Sequence, residues 1–336
     1  MTNPHATIKN DQVLLLKFPE VYGHEKPIAI LQRAMAKNRV AHAYLFYGIG
    51  GIGKRTVSSV FARALNCAGE DPPCDRCPSC LKAEHNNHPN IIHIRAEGQS
   101  IKMDAIKEIR AKMAFRPETG KRVFILKDAD KMTAPASNSL LKTLEEPSPN
   151  NVLILTTSRP HALPMTILSR CQSLRFAPLM NEEVSQYLQQ RQGVEKNEAE
   201  MIAAASLGSI GRALEMKKGD YMTTIKRILD RLAADDPKDL IRRVSVARDL
   251  GKEREEITHR LEIINNTYRD SLVFKETRQE KTLTSKDYRD AVEAIAHRLS
   301  GREILQNITI ISQTIDAISK NTNKILTLES MLVKLR

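Results

Sequence analysis

Residues 48–56, Gly-Ile-Gly-Gly-Ile-Gly-Lys-Arg-Thr, have the composition and spacing of a loop that binds phosphate. An apolar run at Tyr44–Tyr47 predicts a strand before the loop, and the pattern at Val57–Leu65 predicts a helix after it. A glycine-rich loop between a strand and a helix can wrap its backbone N–H groups around a phosphate. The residues predicted to hold the phosphate are Gly48, Gly51, Gly53 and Lys54.

The position after Lys54 departs from the pattern of a loop that supports ATP hydrolysis. A Ser or Thr hydroxyl normally follows this lysine and binds Mg²⁺, but the residue here is Arg55. The hydroxyl of Thr56 comes one residue later, and one residue along a helix turns a side chain by about 100°. We therefore expect Arg55 and Thr56 to border a loop that holds phosphate and is poorly equipped to hold the metal.

A second metal position also departs from this pattern. The apolar run Val123–Leu126 predicts a parallel strand buried on both faces. In P-loop ATPases an Asp for Mg²⁺ and a Glu that positions the attacking water follow this strand, whereas Lys127 and Asp128 occupy those positions here. A lysine cannot bind Mg²⁺, and an alternative register would place Asp128 or Asp130 on the metal.

Four of the five cysteines are closely spaced after the predicted loop and helix, which makes them candidate metal ligands. Two overlapping Cys-x2-Cys pairs with a fourth cysteine nearby can surround one tetrahedral Zn²⁺. Four protein ligands leave no open position for a substrate water, which favours a structural role for the metal. The predicted ligands are Cys67, Cys74, Cys77 and Cys80.

Other interpretations of the cysteine-rich segment remain open from the sequence. An iron–sulfur cluster also takes thiolates, and the cysteines could stay reduced without a metal. Three prolines favour a tight turn here, and nothing nearby indicates redox chemistry, so we expect zinc. Cys171 is far away in the sequence and is not assigned as a ligand, while His85 and His88 are expected in exposed loops.

Apolar runs that alternate with amphipathic helices predict the elements that position these residues. Further strands are expected at Ile91–Ile94, Val152–Leu155 and Ser173–Phe176, with helices at Met103–Phe115 and Ala136–Glu146 between them. This alternation predicts an α/β P-loop fold with a doubly wound parallel sheet and helices on both faces.

Polar residues stand at the ends of two of these elements. Thr156 and Thr157 close a strand at the carboxyl edge of the sheet, where ligands of open α/β sheets bind. Glu145 and Glu146 lie in the last turn of a helix, where each negative charge costs about 0.3–1 kcal/mol. This placement favours a basic partner, and the alternative is that both glutamates are simply solvated.

The character of the sequence changes after residue 177, because no convincing strand follows. Helices are expected near Glu182–Gln192, Asn197–Ala205, Ile210–Lys217, Tyr221–Ala234, Lys238–Leu250, Arg254–Phe274, Ser285–Leu299, Gly301–Ser319 and Thr322–Leu335. We predict an α/β domain at 1–177 with the cysteine module inserted at 67–80, a small helical lid at 178–219, and an all-α domain at 220–336.

Composition narrows the class of protein. The chain has 336 residues, of which 41% are hydrophobic and 27% charged, as in soluble globular proteins. Its net charge of +12 favours contact with polyanions, nucleic acid first, and the alternative is a well-solvated basic surface. No apolar run has the length of a membrane span and the N-terminus has no signal-peptide core, so we expect a cytoplasmic protein with reduced cysteines.

Taken together, several motifs resemble the bacterial clamp-loader family within the AAA+ ATPases. They are His42–Phe46, the phosphate loop, the four cysteines, Ala129–Met132, Asn138–Pro147 and Ile167–Gln172. The run Leu-Leu-Lys-Thr-Leu-Glu-Glu-Pro followed by Ser-Arg-Cys is the most specific part. The resemblance covers most of residues 20–215, whereas residues 220–336 resemble the family only in being helical and of suitable length.

The resemblance implies a subunit of a ring-like pentameric clamp loader, which uses ATP to open a sliding clamp and place it on primed DNA. Arg170 would be an arginine finger that reaches the ATP site of a neighbouring gamma/tau subunit, and the alternative is a salt bridge within this chain. Asp128 and Thr157 or Thr156 would lie at the nucleotide site, with Thr157 or Thr156 at the sensor position. Arg212 comes one place later than the second sensor arginine of the ATPase subunits.

The implied partners are gamma/tau and delta subunits, with the sliding clamp and primed DNA reached through the complex. The implied cofactors are a structural Zn²⁺ and ATP or ADP at a weak or inactive site, with Mg²⁺ poorly supported. The helical C-terminal domain would join a collar. Two rival functions stay open: an ATP-hydrolysing gamma/tau-type subunit, and a nucleotide-binding regulatory scaffold outside replication, against which the specific motifs argue.

Overall fold

The computed structural model describes residues 21–98, 100–117, 119–218, 221–234, 240–277, 288–320 and 322–336. The predicted loose order of the first twenty residues, and the starts of the helices expected from Lys238 and Ser285, lie outside these ranges. The chain divides into two compact units, residues 1–183 and 184–336. A separate lid at 178–219 and a domain beginning at 220 stay predictions.

The first unit contains one parallel sheet of five strands in the order β2-β3-β4-β1-β5. The strands are β1 Ala43–Tyr47, β2 Ile91–Ile94, β3 Arg122–Leu126, β4 Asn151–Thr157 and β5 Gln172–Arg175. Because β1 lies between β4 and β5, the phosphate loop leaves the sheet at a switch point of the strand order, where open α/β sheets bind ligands. The predicted α/β class with a doubly wound parallel sheet is confirmed.

Six helices accompany this sheet within the described part of the unit. They are α1 Glu25–Ala36, α2 Lys54–Leu65, α3 Pro78–Glu84, α4 Met103–Met113, α5 Ala134–Glu145 and α6 Met165–Leu168, with 3-10 turns at Ala129–Lys131 and Pro160–Ala162. Helices α3 and α6 were not expected, because neither is long enough to show two turns of helical periodicity. The side chain of Thr133 caps α5 by accepting a hydrogen bond from the Ala136 N–H.

The central strands are apolar on both faces, since alternate residues pack into two different cores. Leu45, Phe124 and Leu155 belong to one core together with residues of α4 and α5. Tyr44, Ile125 and other alternate residues belong to the second core together with residues of α1 and α2. This double burial fixes the carboxyl ends of β1, β3 and β4 at a common edge.

The second unit is helical throughout its described residues. Its helices are α7 Asn181–Gln192, which begins in the first unit, α8 Lys196–Ala205, α9 Ile210–Met216, α10 Tyr221–Ala233, α11 Leu240–Asp249, α12 Arg254–Thr277, α13 Arg289–Arg298, α14 Gly301–Ser319 and α15 Lys324–Lys334. Ser300 and Glu303 form a capping box at the start of α14. None of the described helices is both long and apolar enough to cross a membrane. The prediction of an all-α C-terminal part is confirmed.

Candidate functional site: the phosphate loop, the cysteine module and Arg170

The phosphate loop connects β1 to the first turn of α2, as the sequence predicts. Gly48, Gly51 and Gly53 have φ angles of 153°, 70° and 104°, in the region that L side chains rarely adopt. A Cβ at Gly48 would also collide with the carbonyl of Phe176. The glycines are therefore required by backbone conformation and, at Gly48, by close approach.

Lys54 begins α2 and turns back over the loop. Its Nζ donates hydrogen bonds to the carbonyls of Gly48 at 2.6 Å and Ile49 at 2.7 Å. Burial lowers the pKa of Lys54 to about 8, and the nearby carboxylates of Asp128 and Asp130 raise it in part. These carboxylates therefore face the lysine that would hold the phosphate.

His24, which the sequence analysis did not assign, supports the loop from its far side. Its Nε2 lies 2.7 Å from the carbonyl oxygen of Ile52, and its ring packs edge-on against Phe176 with centroids 5.0 Å apart. Burial lowers the pKa of His24. A histidine just before a helix carries no sequence signal for such a role, because the contact joins positions 28 residues apart.

The two residues after Lys54 differ in chemistry from a metal-binding pair. Arg55 and Thr56 are both exposed on the first turn of α2. Burial lowers the pKa of His93 near the end of β2, and the positive charges of Arg55 and Arg95 lower it further. Arg55 thus adds positive charge beside the carboxyl edge of the sheet.

Asp128 follows β3 directly and is surrounded by positive charge. Its backbone is left-handed, with φ 54° and ψ 55°, and its N–H points to the Thr156 Oγ1 at 3.4 Å. Its carboxylate Oδ2 lies 3.3 Å from Lys131 Nζ and 3.8 Å from Lys127 Nζ. The predicted positions of Lys127 and Asp128 after the strand are thus occupied as expected, and both flank the loop.

Asp130 is held by a residue that the sequence analysis missed. Its side chain is 4% exposed and pairs with Arg159, whose Nε and Nη2 donate to Oδ2 at 3.0 and 2.8 Å. The hydroxyl of Thr157 donates to the other oxygen of Asp130 at 2.6 Å and accepts the Arg159 N–H at 2.9 Å. Thr157 thus serves Asp130 in this structure, and its role toward a nucleotide stays a prediction.

The four predicted cysteine ligands meet in space. The Sγ atoms of Cys67, Cys74, Cys77 and Cys80 all lie within 4.8 Å of one another. Four thiolates at about 2.3 Å from one Zn²⁺ would be about 3.8 Å apart, so the cluster fits a tetrahedral metal after a small contraction. These side chains could hold a metal such as zinc.

Backbone N–H groups already point at the sulfurs as they do around a thiolate site. Those of residues 69 and 74 donate to Cys67 Sγ at 3.3 and 3.4 Å, and the N–H of Cys80 donates to Cys77 Sγ at 3.4 Å. Hydrogen bonds from backbone N–H groups lower the pKa of Cys74 to about 6, whereas burial raises that of Cys80. The cysteines therefore begin from unequal affinities for a proton.

The remaining candidates lie outside this cluster. His88 Nε2 is 2.9 Å from the hydroxyl of Ser79, and His85 Nδ1 is 2.8 Å from the carbonyl of Leu81. Cys171 packs beside the core, and burial raises its pKa to about 12. An ion pair of 3.2 Å between Arg63 and Asp75 ties the cysteine module to α2.

Arg170 follows α6 and reaches the last turn of α5. Its Nη2 lies 2.9 Å from Glu145 Oε1, and its Nη1 donates to the carbonyl of Thr166 at 3.0 Å. The salt bridge that the sequence left open as the alternative for Arg170 is therefore present. Glu145 also has the basic partner that its position favoured, whereas Glu146 is exposed.

Arg212 in the second unit is occupied by an acidic partner. Its Nη2 lies 2.7 Å from Glu262 Oε2, and its side chain is 10% exposed. Burial raises the pKa of Glu262 while the charge of Arg212 lowers it. Arg212 thus joins α9 to α12 in this structure.

Comparison with known protein families places this geometry in context. The family described as DNA polymerase III, delta subunit, matches residues 23–180, and its C-terminal counterpart matches residues 226–336. This chain belongs to the DNA polymerase III delta-subunit family. The family resemblance stated from the motifs is confirmed, and it now extends to the C-terminal helices, where the sequence alone offered only helicity and length.

Two curated relatives come from Bacillus subtilis. The chain is 35% identical over 193 residues to DNA polymerase III subunit delta′, covering 57% of this chain and 58% of that protein. It is 34% identical over 208 residues to DNA polymerase III subunit tau, covering 60% of this chain and 37% of that protein. The chain therefore matches only part of the length of either relative.

A solved structure of a DNA polymerase III gamma subunit-related protein from Thermotoga maritima is also similar to this chain. The superposition covers 90% of this chain and 97% of that protein, with a TM-score of 0.46 and 18% sequence identity.

Proposed function

We propose that this chain acts as the delta-prime subunit of a bacterial DNA polymerase III clamp loader. In this role it helps the ATP-driven loading of a sliding clamp onto primed DNA, and its own nucleotide site is degenerate. Its partners are gamma/tau and delta subunits, with clamp and DNA engaged through the complex in the cytoplasm. The single observation that carries the proposal is the exposed Arg170 at the end of α6, combined with family membership.

Arg170 is suited to act on a neighbouring subunit. Its side chain is 36% exposed, and the carboxylate of Glu145 that holds it is 50% exposed. A pair this accessible to water contributes only about 0–1 kcal/mol, so a transferring phosphate can compete for the guanidinium. An arginine supplied in trans raises the rate about 10³–10⁵-fold in well-studied GTPases.

The local nucleotide site supports the non-hydrolysing role. The nucleotide-binding set stays Gly48, Gly51, Gly53, Lys54, Arg55, Thr56, Asp128 and Thr157, in which the loop retains its lysine and lacks the hydroxyl after it. The family implies Zn²⁺ at the four cysteines, and their donor set fits it. Held there, zinc would join the cysteine segment to α3 and, through Arg63 and Asp75, to α2.

The decisive experiment measures ATP hydrolysis with the isolated chain and then with the reconstituted complex, clamp and primed DNA. We expect no turnover by the chain alone, and a stimulated rate in the complex that Arg170→Ala lowers by orders of magnitude. A matched control is Arg175→Ala, which removes another arginine, at the end of β5. An unchanged rate with Arg170→Ala would overturn the trans role.

The rival with specific support is an ATP-hydrolysing gamma/tau-type subunit, because identity to tau nearly equals that to delta′. Steady turnover by the isolated chain that Lys54→Ala abolishes would favour this rival. The regulatory scaffold outside replication predicts no binding to gamma/tau or to the clamp, which a pull-down with purified subunits tests directly.

A further inference from the structure

The fold family implies Mg²⁺ beside the phosphate loop, and the oxygen groups of this chain can be tested for fit. Mg²⁺ requires oxygen ligands in near-octahedral geometry, usually one or two carboxylates, a hydroxyl, waters and phosphate oxygens. The loop should therefore present at least one free hydroxyl and one free carboxylate. The described residues around the loop present both kinds of group, already committed to other partners.

The hydroxyls are each placed or used in a way that excludes this role. Arg55 replaces the hydroxyl residue, and Thr56 is one position too far around the helix. Ser58 is buried and donates to the carbonyl of Lys54 at 2.8 Å. Thr157 donates to Asp130 and accepts from the Arg159 N–H.

The carboxylates are neutralised by side-chain cations rather than left for a metal. Asp130 is bound through two guanidinium nitrogens of Arg159 and through the hydroxyl of Thr157. Asp128 has the ammonium groups of Lys131 and Lys127 within 4 Å of one oxygen. Displacing such partners for a metal would leave buried or clustered positive charges without counterions, which is unfavourable.

The charge around the loop is strongly positive without any metal. Lys54, Arg55, Lys127, Lys131 and Arg159 are cationic, whereas the acidic groups among them are Asp128 and Asp130. Mg²⁺ elsewhere neutralises part of the charge of a nucleotide diphosphate. Here the excess of guanidinium and ammonium groups can perform that neutralisation.

We propose that the loop binds the diphosphate group of a nucleotide, or pyrophosphate itself, without Mg²⁺. Arg55 and Lys127 supply the positive charge that the metal supplies in a hydrolysing loop, and Lys54 binds the phosphate oxygens. A guanidinium is well suited to this, because its planar N–H groups match phosphate oxygens two at a time. This inference deepens the proposed degenerate nucleotide site and rests on it.

The metal dependence of affinity tests the inference with the full chain. Binding of ADP and of pyrophosphate is measured by titration calorimetry, once in excess EDTA and once in excess Mg²⁺. We expect binding in EDTA that is at least as tight as in Mg²⁺, since Mg²⁺ competes with the side chains for the same oxygens. Binding that requires Mg²⁺, or no binding under either condition, would overturn the inference.

Variants separate the proposed charges from general effects on the fold. Arg55→Thr is exposed and should fold normally, and it should weaken binding about tenfold or more in EDTA and much less in Mg²⁺. The matched control Lys107→Thr, on exposed α4, should leave both affinities unchanged. Equal losses in EDTA and Mg²⁺ for Arg55→Thr would overturn the assignment of Arg55.

The two ligands also distinguish the source of the diphosphate. Tighter binding of ADP than pyrophosphate supports a nucleotide, and equal affinity supports a site for the diphosphate alone. The Arg170 experiment is independent of these results, because it monitors turnover at a neighbouring subunit. Failure of metal-free binding therefore leaves the proposed delta-prime role standing, and failure of the Arg170 test leaves this inference standing.

Discussion

Arg170 and Glu145 form an ion pair of 2.9 Å that joins the end of α6 to the last turn of α5. The pair explains why a negative charge is tolerated at that helix terminus, since the guanidinium compensates it locally. It also keeps the arginine extended beside the specific Glu-Glu-Pro motif. The contact can therefore orient Arg170 while remaining weak enough to exchange.

The first prediction concerns Glu145→Gln, which removes the charge that holds Arg170 within its own chain. We expect the free energy of unfolding to fall by less than about 1 kcal/mol, because the pair is exposed. The rate of ATP hydrolysis in the reconstituted complex should change by less than about tenfold. Denaturant unfolding and the complex assay measure the two quantities.

The comparison variant for this prediction is Arg170→Ala in the same complex. A loss of rate with Glu145→Gln as large as that with Arg170→Ala would show that Glu145 is required to position the arginine, contrary to the view of a loosely held finger.

The second prediction is that the purified chain contains one zinc ion held by its four cysteines. Structural zinc binds zinc-finger peptides with about 10–16 kcal/mol, so removal by a strong chelator should unfold the segment at residues 67–84. Metal analysis and the circular dichroism of treated protein measure this. Cys77→Ser should abolish zinc binding, whereas the control Cys171→Ser should retain it. Iron in place of zinc, or no metal, would contradict the assignment.

The third prediction concerns Arg159→Ala, which leaves the buried carboxylate of Asp130 without its main partner. We expect a loss of about 1–3 kcal/mol in the free energy of unfolding, since an unpaired buried group keeps its desolvation cost. Adding Asp130→Asn to this variant should restore part of the loss. Denaturant unfolding of the two single variants and the double variant measures the coupling, and additive losses would argue against it.

The fourth prediction is that Arg55→Thr does not by itself create rapid ATP hydrolysis. The new hydroxyl restores one metal position, but Asp130 stays bound to Arg159, and Asp128 stays paired with Lys131 and Lys127. Steady-state turnover by the isolated variant should remain at background. A large gain would mean that the carboxylates after β3 can be recruited by Mg²⁺ after all.

The fifth prediction concerns the pH dependence of stability, through Lys54. Its pKa is lowered to about 8 in the folded chain, against about 10.4 for an unfolded lysine. Between these values the unfolded chain binds more protons, so the contribution of Lys54 to stability should rise as pH increases from about 8 to about 10. Lys54→Met should remove this rise when denaturant unfolding is followed across that range. A persistent rise in the variant would assign it to another group.

Much of the fold was predictable because the strands are short continuous apolar runs and the longer helices are clearly periodic. The observed β2 has the predicted ends Ile91 and Ile94, and α14 has the predicted ends Gly301 and Ser319. Helix α6 was missed, since four residues cannot display a helical period. The cysteine ligands were predictable from spacing alone, because local chain geometry brings them together.

The partners of the site residues could not be predicted in the same way. Arg159 and Asp130 are 29 residues apart, and no local pattern indicates that one binds the other. The same holds for His24 with Ile52, and for Arg212 with Glu262. Each contact depends on how separate elements pack.

The sequence by itself determined the α/β class, the phosphate loop with its altered metal positions, the four-cysteine module and the family. These features follow from short-range rules of periodicity, backbone conformation and ligand spacing. Only the tertiary structure decided that Asp130 is bound by Arg159, that Asp128 lies between two lysines, and that Arg170 is held by Glu145. The reason is physical: the parallel sheet brings the carboxyl ends of β3 and β4 to one edge, and charges placed there by distant segments select their partners through space.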